Sequence, residues 1–284
     1  MIYYQLRNEL WKMFGKKRTY IGFGAFLLAH ATILLLVRYL QAPRRELVHR
    51  LELLGYSSDK FITNLTMALA VLIPVASLLM PLYVALVGGD LLAKEAEDGT
   101  LRMILARPIS RFRLALVKWM AGLVFSFVLA LTLGALGVAI ASCLFPSGGL
   151  FAWLPMNNAG LELFSLFDPT EGWSRYAIAT VILTADAATV MGLALMFSCF
   201  NVKPAAATIL ALSFWLTSKI LQEMPYFHDL RQWFFTYHMD YWIKMFEQRV
   251  PWPEIIQSLS ILFGFNLTLL IIGCVAFQVR DIKS

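Results

Sequence analysis

The sequence predicts an all-α membrane protein that crosses the bilayer six times and forms a single domain over residues 1–284. Of the 284 residues, 59% are hydrophobic and only 15% are charged, whereas soluble domains carry about 25% charged residues. The mean hydropathy is +0.68. Six apolar stretches meet or approach the ~20 residues that a helix needs to cross a bilayer. They are 19–40, 64–87, 114–145, 176–199, 204–221 and 255–277.

The number of spans and the basic residues of the loops predict the orientation. The fifth stretch is the least apolar, because Ser213, Thr217 and Ser218 lie on it. If it does not cross, five spans remain and the termini lie on opposite sides. Lys and Arg in short loops favour the cytoplasmic side, and the basic clusters at 7–18 and 94–118 adjoin spans directly. We therefore expect an integral membrane protein with both termini cytoplasmic, in the inner or plasma membrane of a bacterial or archaeal cell.

Residues 1–18 predict a helix that lies on the membrane surface. Apolar side chains at helical spacing form one face, and the basic residues mostly avoid it. Such a helix rests in the headgroup plane of the bilayer, so membrane lipids are expected partners. The apolar face consists of Tyr3, Leu6, Leu10, Met13 and Phe14.

The loop at 88–113 separates the second and third stretches and carries signals for a short helix. Asp98-Gly99 is a turn signal. Thr100 is suited to cap a helix, because its hydroxyl can accept a free backbone N–H. An apolar stripe at helical spacing follows, made of Leu101, Ile104 and Leu105.

The end of this short helix is also encoded. Pro108 disfavours helical backbone at the preceding residue, so the helix should end at Arg107. Ser110 is suited to cap the next helix, which enters the membrane. On spacing alone, this is either an ordinary amphipathic loop helix or a helix that passes motion between proteins.

The segment from Lys94 to Lys118 also resembles the first cytoplasmic loop of type-2 ABC-transporter permeases. That loop reads roughly E-x-E-x-G-T-L, then L-A-x-P-x-S-R, then a Lys, and this chain has the same residues in the same order. In that family the loop carries a coupling helix that docks on a separate ATPase. The resemblance implies that the ATPase-interface residues are Glu95, Glu97, Asp98, Gly99, Thr100, Leu101 and Arg102.

The resemblance implies a non-catalytic transport subunit, more often an exporter than an importer. It further implies two permease chains, as a homodimer or a heterodimer, working with two ATPase subunits. The partner would bind ATP, and no cofactor is expected on this chain. Consistent with that, the sequence has no G-x-x-x-x-G-K-[ST] phosphate-binding loop, and it also lacks the H-E-x-x-H and G-x-S-x-G motifs. The net charge of +6 lies on no soluble basic domain, so no nucleic-acid partner is expected.

Two further regions are candidates for function. Asp186 lies within the fourth apolar stretch, where a carboxylate is costly and is a functional candidate by default. It either lines a substrate pathway or is a protonated or paired structural residue. The segment 222–254 is rich in Trp and Tyr, which favour the membrane interface. It is either a re-entrant segment on the outer side or an aromatic loop without a role in transport.

Two other classes of function stay open at this stage. One is an ABC-like membrane anchor in a larger assembly or motility machine. The other is an integral-membrane enzyme with Asp186, His228 or His238 as catalytic residues. The pairs His228-Asp229 and His238-x-Asp240 match no recognised metal-site spacing, so no metal site is predicted.

Overall fold

The computed structural model describes residues 2–40, 62–106, 109–155 and 162–280. Six helical segments are long and apolar enough to cross a membrane, which confirms the predicted all-α polytopic fold. They are α2 (Lys17–Tyr39), the continuous segment Asn64–Glu97, α6 (Arg111–Leu144), α7 (Pro169–Cys199), α8 (Pro204–Glu223) and α10 (Trp252–Val279). The predicted surface helix is α1 (Ile2–Gly15), and the predicted loop helix is α5 (Thr100–Leu105).

The second spanning segment contains a wide helical turn. It consists of α3 (Asn64–Pro74), a π-helical turn (Val75–Leu79) and α4 (Met80–Glu97). Within the turn, the Met80 N–H bonds to the Val75 carbonyl, five residues earlier. Pro81 follows at once and has no N–H for the ladder. Turns of this kind are rare and occur frequently at functional sites.

Shorter elements join the spanning helices at one end. Between α6 and α7, β1 (Leu150–Pro155) and β2 (Glu162–Phe167) form an antiparallel hairpin with Leu150 opposite Phe167. The sequence analysis does not predict these strands. Between α8 and α10 lie a 3-10 helix (Pro225–Trp233), α9 (Phe235–Met239) and a second 3-10 helix (Asp240–Phe246). The segment 222–254, predicted to be either re-entrant or an aromatic loop, thus contains short helices.

The segment between α8 and α10 folds back into the helix bundle. Phe235, Met239, Trp242 and Phe246 are all buried, and this stretch packs against α7, α8 and α10. Arg175 of α7 holds its far end by donating to the carbonyls of residues 245, 247 and 248. The segment is therefore part of the packed interior and not an exposed loop.

Helix α7 is the centre of the bundle. Of its most apolar 18-residue window, 72% is buried inside the chain, against 17% for α2. It packs against α4, α6, α8 and α10. Helix α2 lies at the periphery and is held by aromatic contacts, with Tyr83 of α4 touching Phe23 and Phe26. The Tyr83 hydroxyl also donates to the Thr19 carbonyl at 2.9 Å.

One end of the bundle gathers both chain ends, and we call it the terminal face. It comprises α1, α5, the turn 200–203 between α7 and α8, and the end of α10 at Arg280. Arg111, at the start of α6, donates to the Arg280 carbonyl at 2.8 Å. Ser198 of α7 accepts the N–H groups of Leu92 and Ala93 at 3.1 and 2.7 Å. These contacts fix α4, α6, α7 and α10 to one another next to α5.

Close helix packing at Gly192 yields a test of this arrangement. A Cβ at Gly192 of α7 would lie 2.6 Å from Asn266 Oδ1 and 2.8 Å from Trp119 Cζ2. We expect Gly192→Ala to lower the free energy of unfolding by about 1–3 kcal/mol, because the added atom overpacks the interior. The matched control is Gly264→Ala, since a Cβ there meets no described atom within 4 Å. Thermal unfolding in detergent measures both, and equal stabilities for the two variants would contradict the packing described.

Candidate functional site

The turn that leads into α5 has the predicted position but a different cap. Asp98 and Gly99 form the turn, and Gly99 adopts a positive φ of 72° that favours glycine. The N-cap of α5 is Gly99, not Thr100 as predicted. Thr100 is the first residue of the helix, and its hydroxyl donates to the Glu95 carbonyl at 3.1 Å. The hydroxyl thus closes the end of α4, and Thr100 is not the N-cap because its own backbone already lies within α5.

Helix α5 is anchored by one face and exposed on the other. Leu101 is only 1% exposed and belongs to the hydrophobic core. Ile104 and Leu105 are partly buried against the same core, as the predicted stripe requires. On the opposite face, Arg102 is exposed and Met103 is 67% exposed.

Leu101, one of the predicted ATPase-interface residues, is enclosed by this chain and attaches α5 to the bundle. The predicted end of the helix at Arg107-Pro108 lies outside the described residues. The predicted cap of the following helix is confirmed, since Ser110 Oγ accepts the Arg113 N–H at 3.3 Å.

A group of four charged side chains lies directly behind α5, and we call it the buried charge cluster. Lys118 of α6 is 0% exposed. Its Nζ lies 3.0 Å from Glu9 Oε2 and 2.8 Å from Glu95 Oε2, and it donates to the Leu91 carbonyl at 2.8 Å. Lys12 Nζ lies 2.9 Å from Glu9 and 3.4 Å from Glu95. The cluster therefore connects α1, the end of α4 and the start of α6.

The charges of the cluster stabilise one another at neutral pH. Burial raises the pKa of Glu9. The charge of Lys118, together with the hydrogen bond and the charge of Lys12, lowers it by more, so the pKa lies below its usual 4.5. Burial likewise opposes the charge of Lys12, yet the hydrogen bond to Glu9 and the charge of Glu95 raise its pKa above 10.5. Glu9 and Lys12 are thus both ionised between pH 4.5 and pH 10.5.

Three of the predicted ATPase-interface carboxylates differ in accessibility. Glu95 is the least accessible, with 16% of its side chain exposed and ion pairs to Lys12 and Lys118 of this chain. Glu97 and Asp98 are more accessible, with 43% and 50% of their side chains exposed. Both pair with Lys94, at 2.8 and 3.1 Å. Surface pairs of this kind contribute only about 0–1 kcal/mol, so they leave these carboxylates available to a partner.

A groove of about 850 Å³ separates α1 from α5. Its floor carries Glu9, Lys12 and Glu95 of the buried charge cluster, and its edges carry Trp11 and Met103. These edge residues are 75% and 67% exposed. The terminal face thus presents a concave surface with a charged floor and apolar edges beside the exposed face of α5.

Asp186 lies in a second cluster, within the bundle and close to the folded-back segment. It lines a cavity of about 20 Å³ together with Lys219 of α8 and Asp240 of the second 3-10 helix. Lys219 Nζ is in direct contact with the Asp240 carboxylate. Asp186 is only 5% exposed, so it is enclosed by this one chain.

Sequence reasoning missed the two charged neighbours of Asp186. The sequence analysis does not single out Lys219, although its position inside the stretch 204–221 is a signal for an intramembrane cation. Asp240 was noted only beside His238, for metal binding. His238 instead contacts Ser258 Oγ at 3.1 Å and the Gln232 carbonyl at 3.0 Å. Among the described residues no group of three or more His, Cys, Asp or Glu is placed to hold a metal ion.

A comparison with protein families decides the affiliation of the chain. The model described as "ABC-2 family transporter protein" matches residues 7–228. The chain belongs to the ABC-2 transporter family. The matched region runs from α1 into the first 3-10 helix and includes α5 and Lys118. A search of the curated proteins found no significant match to the sequence.

Membership of the ABC-2 family identifies the kind of protein. With its six apolar helices, the chain is an integral membrane protein and a permease component of an ABC transporter. Members of this family are transport subunits, in general non-catalytic, and in general work with an ABC ATPase. The exposed face of α5 is the candidate site for that partner.

The buried charge cluster predicts a large effect of removing its central cation. Lys118→Met leaves Glu9 and Glu95 next to each other with only Lys12 to compensate them. We expect the free energy of unfolding to fall by about 3–5 kcal/mol, since removing one partner of a buried pair leaves an uncompensated charge. Thermal unfolding of the purified permease in detergent measures this loss.

The matched control for this variant is Lys94→Met on the same terminal face. Within the part of the chain that the structure describes, Lys94 pairs with the exposed Glu97 and Asp98, so its removal should change stability by less than about 1 kcal/mol. A Lys118→Met variant as stable as the Lys94→Met variant would show that the cluster does not hold the helices together.

The lowered pKa of Glu9 predicts that α1 loosens in acid. A group whose pKa is lowered by folding stabilises the fold above its unfolded value, and the contribution disappears as the pH falls through the folded value. We therefore expect α1 to stay attached at neutral pH and to become mobile below pH 4.5. A spin label at Trp11 reports its mobility across this range. In Glu9→Gln the acid transition should vanish, and an identical transition in both proteins would contradict the assignment to Glu9.

Proposed function

We propose that this chain is the membrane-spanning subunit of an ATP-driven exporter and that a separate ATPase docks on the terminal face against α5. The terminal face is then the cytoplasmic side. The family match supports a permease with an ABC ATPase partner. The excess of Lys and Arg near 7–18 and 94–118 supports the orientation. Export follows from the resemblance of the 94–118 loop to type-2 permeases, most of which export.

The observation that carries the proposal is the attachment of α5 to the spanning helices. Leu101 fixes α5 in the core, and the turn at Asp98-Gly99 joins it directly to α4. Behind it, Lys118 holds α6 to α4 and α1 through Glu95 and Glu9. A push on α5 is thus passed to the second and third spanning segments at once, because Leu101, the Asp98-Gly99 turn and the Lys118 contacts join α5 and the ends of both segments.

The exposed side of this unit offers the chemistry of a protein interface. Arg102 and Met103 on α5 and the carboxylates of Glu97 and Asp98 all face outward. Arg and Met are enriched at such interfaces. The groove beside them can receive a side chain or helix edge from the partner. We propose that the direct contacts are Glu97, Asp98, Gly99, Arg102 and Met103, with Thr100, Leu101 and Glu95 holding them in place.

We further propose that two permease chains assemble with two ATPase subunits, as the resemblance to type-2 permeases implies. Closure of the ATPases around ATP would move both α5 helices, and α4 and α6 would tilt with them. The wide π turn at Val75–Leu79 lies between α3 and α4. It is a suitable place for that tilt to be absorbed, because its hydrogen bonds are already displaced from the α-helical pattern.

A charge placed on the exposed face of α5 tests the docking site. We expect Met103→Asp to reduce ATPase association by tenfold or more, since an apolar contact at the centre of an interface commonly contributes about 2 kcal/mol. The permease is co-expressed with its ATPase, purified in mild detergent, and assayed for bound ATPase and for ATP hydrolysis. Thermal unfolding of the permease should not change, because Met103 is largely exposed.

The matched control is Met224→Asp, which places the same charge on an exposed Met at the opposite end of α8 from the terminal face. It should retain the ATPase. Loss of the ATPase in Met224→Asp but not in Met103→Asp would place the partner on the other end and overturn the proposed orientation. Retention in both variants would remove α5 as the docking site.

A further inference from the structure

The cavity around Asp186 has a charge imbalance that the transport function does not explain. Its lining includes two carboxylates, Asp186 and Asp240, and one ammonium group, Lys219. The ammonium group is in contact with Asp240. Asp186 is 95% buried, from its exposed fraction of 5%, and makes no hydrogen bond to any described residue. A buried carboxylate without a partner of its own is costly in its charged form.

The elements packed around Asp186 supply no second cation. The π turn and α4 contribute Ala76, Ser77 and Pro81, which carry no charge. From α9 come Thr236 and Met239, and the Thr236 hydroxyl is already shared with Ser218 at 2.9 Å.

Other titratable groups of the neighbouring elements are engaged elsewhere. His238 of α9 faces Ser258 of α10. Tyr241, next to Asp240, stacks on His238. Glu254 of α10 contacts Lys244, and Arg175 of α7 binds Glu171 and carbonyls of the folded-back segment. Within the described residues, the charges facing Asp186 are therefore those of Lys219 and Asp240.

The size of the cavity restricts what can balance the remaining charge. A volume of about 20 Å³ admits one water molecule, which needs about 10–15 Å³, but no organic solute. Ser77 lines the same cavity and is exposed at the surface of the chain. A water molecule held in this cavity can pass a proton to or from Asp186.

We propose that this cluster is a proton-binding site, in which Asp186 carries a proton while Lys219 is paired with Asp240. The Asp186 carboxylate accepts a proton from a hydronium ion, so that one O–H bond forms on the carboxyl group as one breaks in the donor and a water molecule is released. Intramembrane carboxylates in such surroundings commonly serve as proton relays. The bound proton leaves the cluster with no net charge, which is the stable condition for a buried site.

The position of Asp240 gives this proton a structural consequence. Asp240 is the first residue of the second 3-10 helix, so its contact with Lys219 holds the folded-back segment against α8. When Asp186 loses the proton, it becomes a second anion competing for the same ammonium group. The contact with Asp240 then weakens. Occupancy of the proton site thus controls how firmly the segment 235–246 is held in the bundle.

Infrared spectroscopy of the purified permease tests the site without any ATPase. A protonated carboxylic acid has a C=O stretching band that a carboxylate lacks. At neutral pH we expect this band in the wild-type chain and its loss in Asp186→Asn. The matched control is Asp229→Asn in the first 3-10 helix, whose carboxylate is fully exposed and should contribute nothing to the band.

A second variant keeps the test decisive if Asp186→Asn folds poorly. Removing the cation by Lys219→Met leaves the buried Asp186 beside Asp240, whose side chain is 32% exposed. The Asp186 band should persist in this variant, because no cation remains to stabilise a second carboxylate. The proposal is overturned if the wild-type chain shows no protonated-acid band at neutral pH. It is equally overturned if the band survives Asp186→Asn or is lost in Lys219→Met. None of these outcomes depends on whether an ATPase docks on α5.

Discussion

The arrangement of the terminal face depends on one buried ammonium group, that of Lys118. It lies about 10 Å along α6 from the first residue of the helix, at a rise of about 1.5 Å per residue. No water reaches it, so its charge requires the carboxylates of Glu9 and Glu95 and the Leu91 carbonyl. Buried ion pairs seldom add net stability over apolar packing. Their effect here is positional, because the three helices can meet in only one way that satisfies this charge.

This positional effect explains why the loop after α4 is suited to transmit motion. Helix α5 has only six residues, too few to be stable alone. It is held by Leu101 in the core and by the turn at Gly99. The buried charge cluster then fixes the ends of α4 and α6 on which α5 rests. The exposed face of α5 belongs to a unit that includes two spanning segments, so docking there is mechanically linked to the membrane-embedded part of the chain.

The sequence predicted what depends on local patterns and missed what depends on distant pairing. Apolar length was enough for the six spanning helices, and local chemistry was enough for the turn at Gly99 and the cap at Ser110. The role of Lys118 was not predictable, because its partner Glu9 lies 109 residues away in the chain. The same holds for Lys219 and Asp186, which lie on different helices. The hairpin of β1 and β2 was not predicted, because two short strands within a loop give a weak sequence pattern next to long apolar helices.

The most direct test of the account is whether α1, α5 and the helix ends behind them move as one body. Spin labels are placed at Trp11 of α1 and at Ala106, the C-cap of α5; both residues are exposed, and neither is among the proposed ATPase contacts. Their separation can be measured by pulsed electron paramagnetic resonance in the permease–ATPase complex, with and without bound ATP. The account predicts the same narrow distance distribution in both states. A distance that shifts or broadens when ATP binds would show that α5 moves independently of α1, and would contradict the claim that the Lys118 cluster joins them.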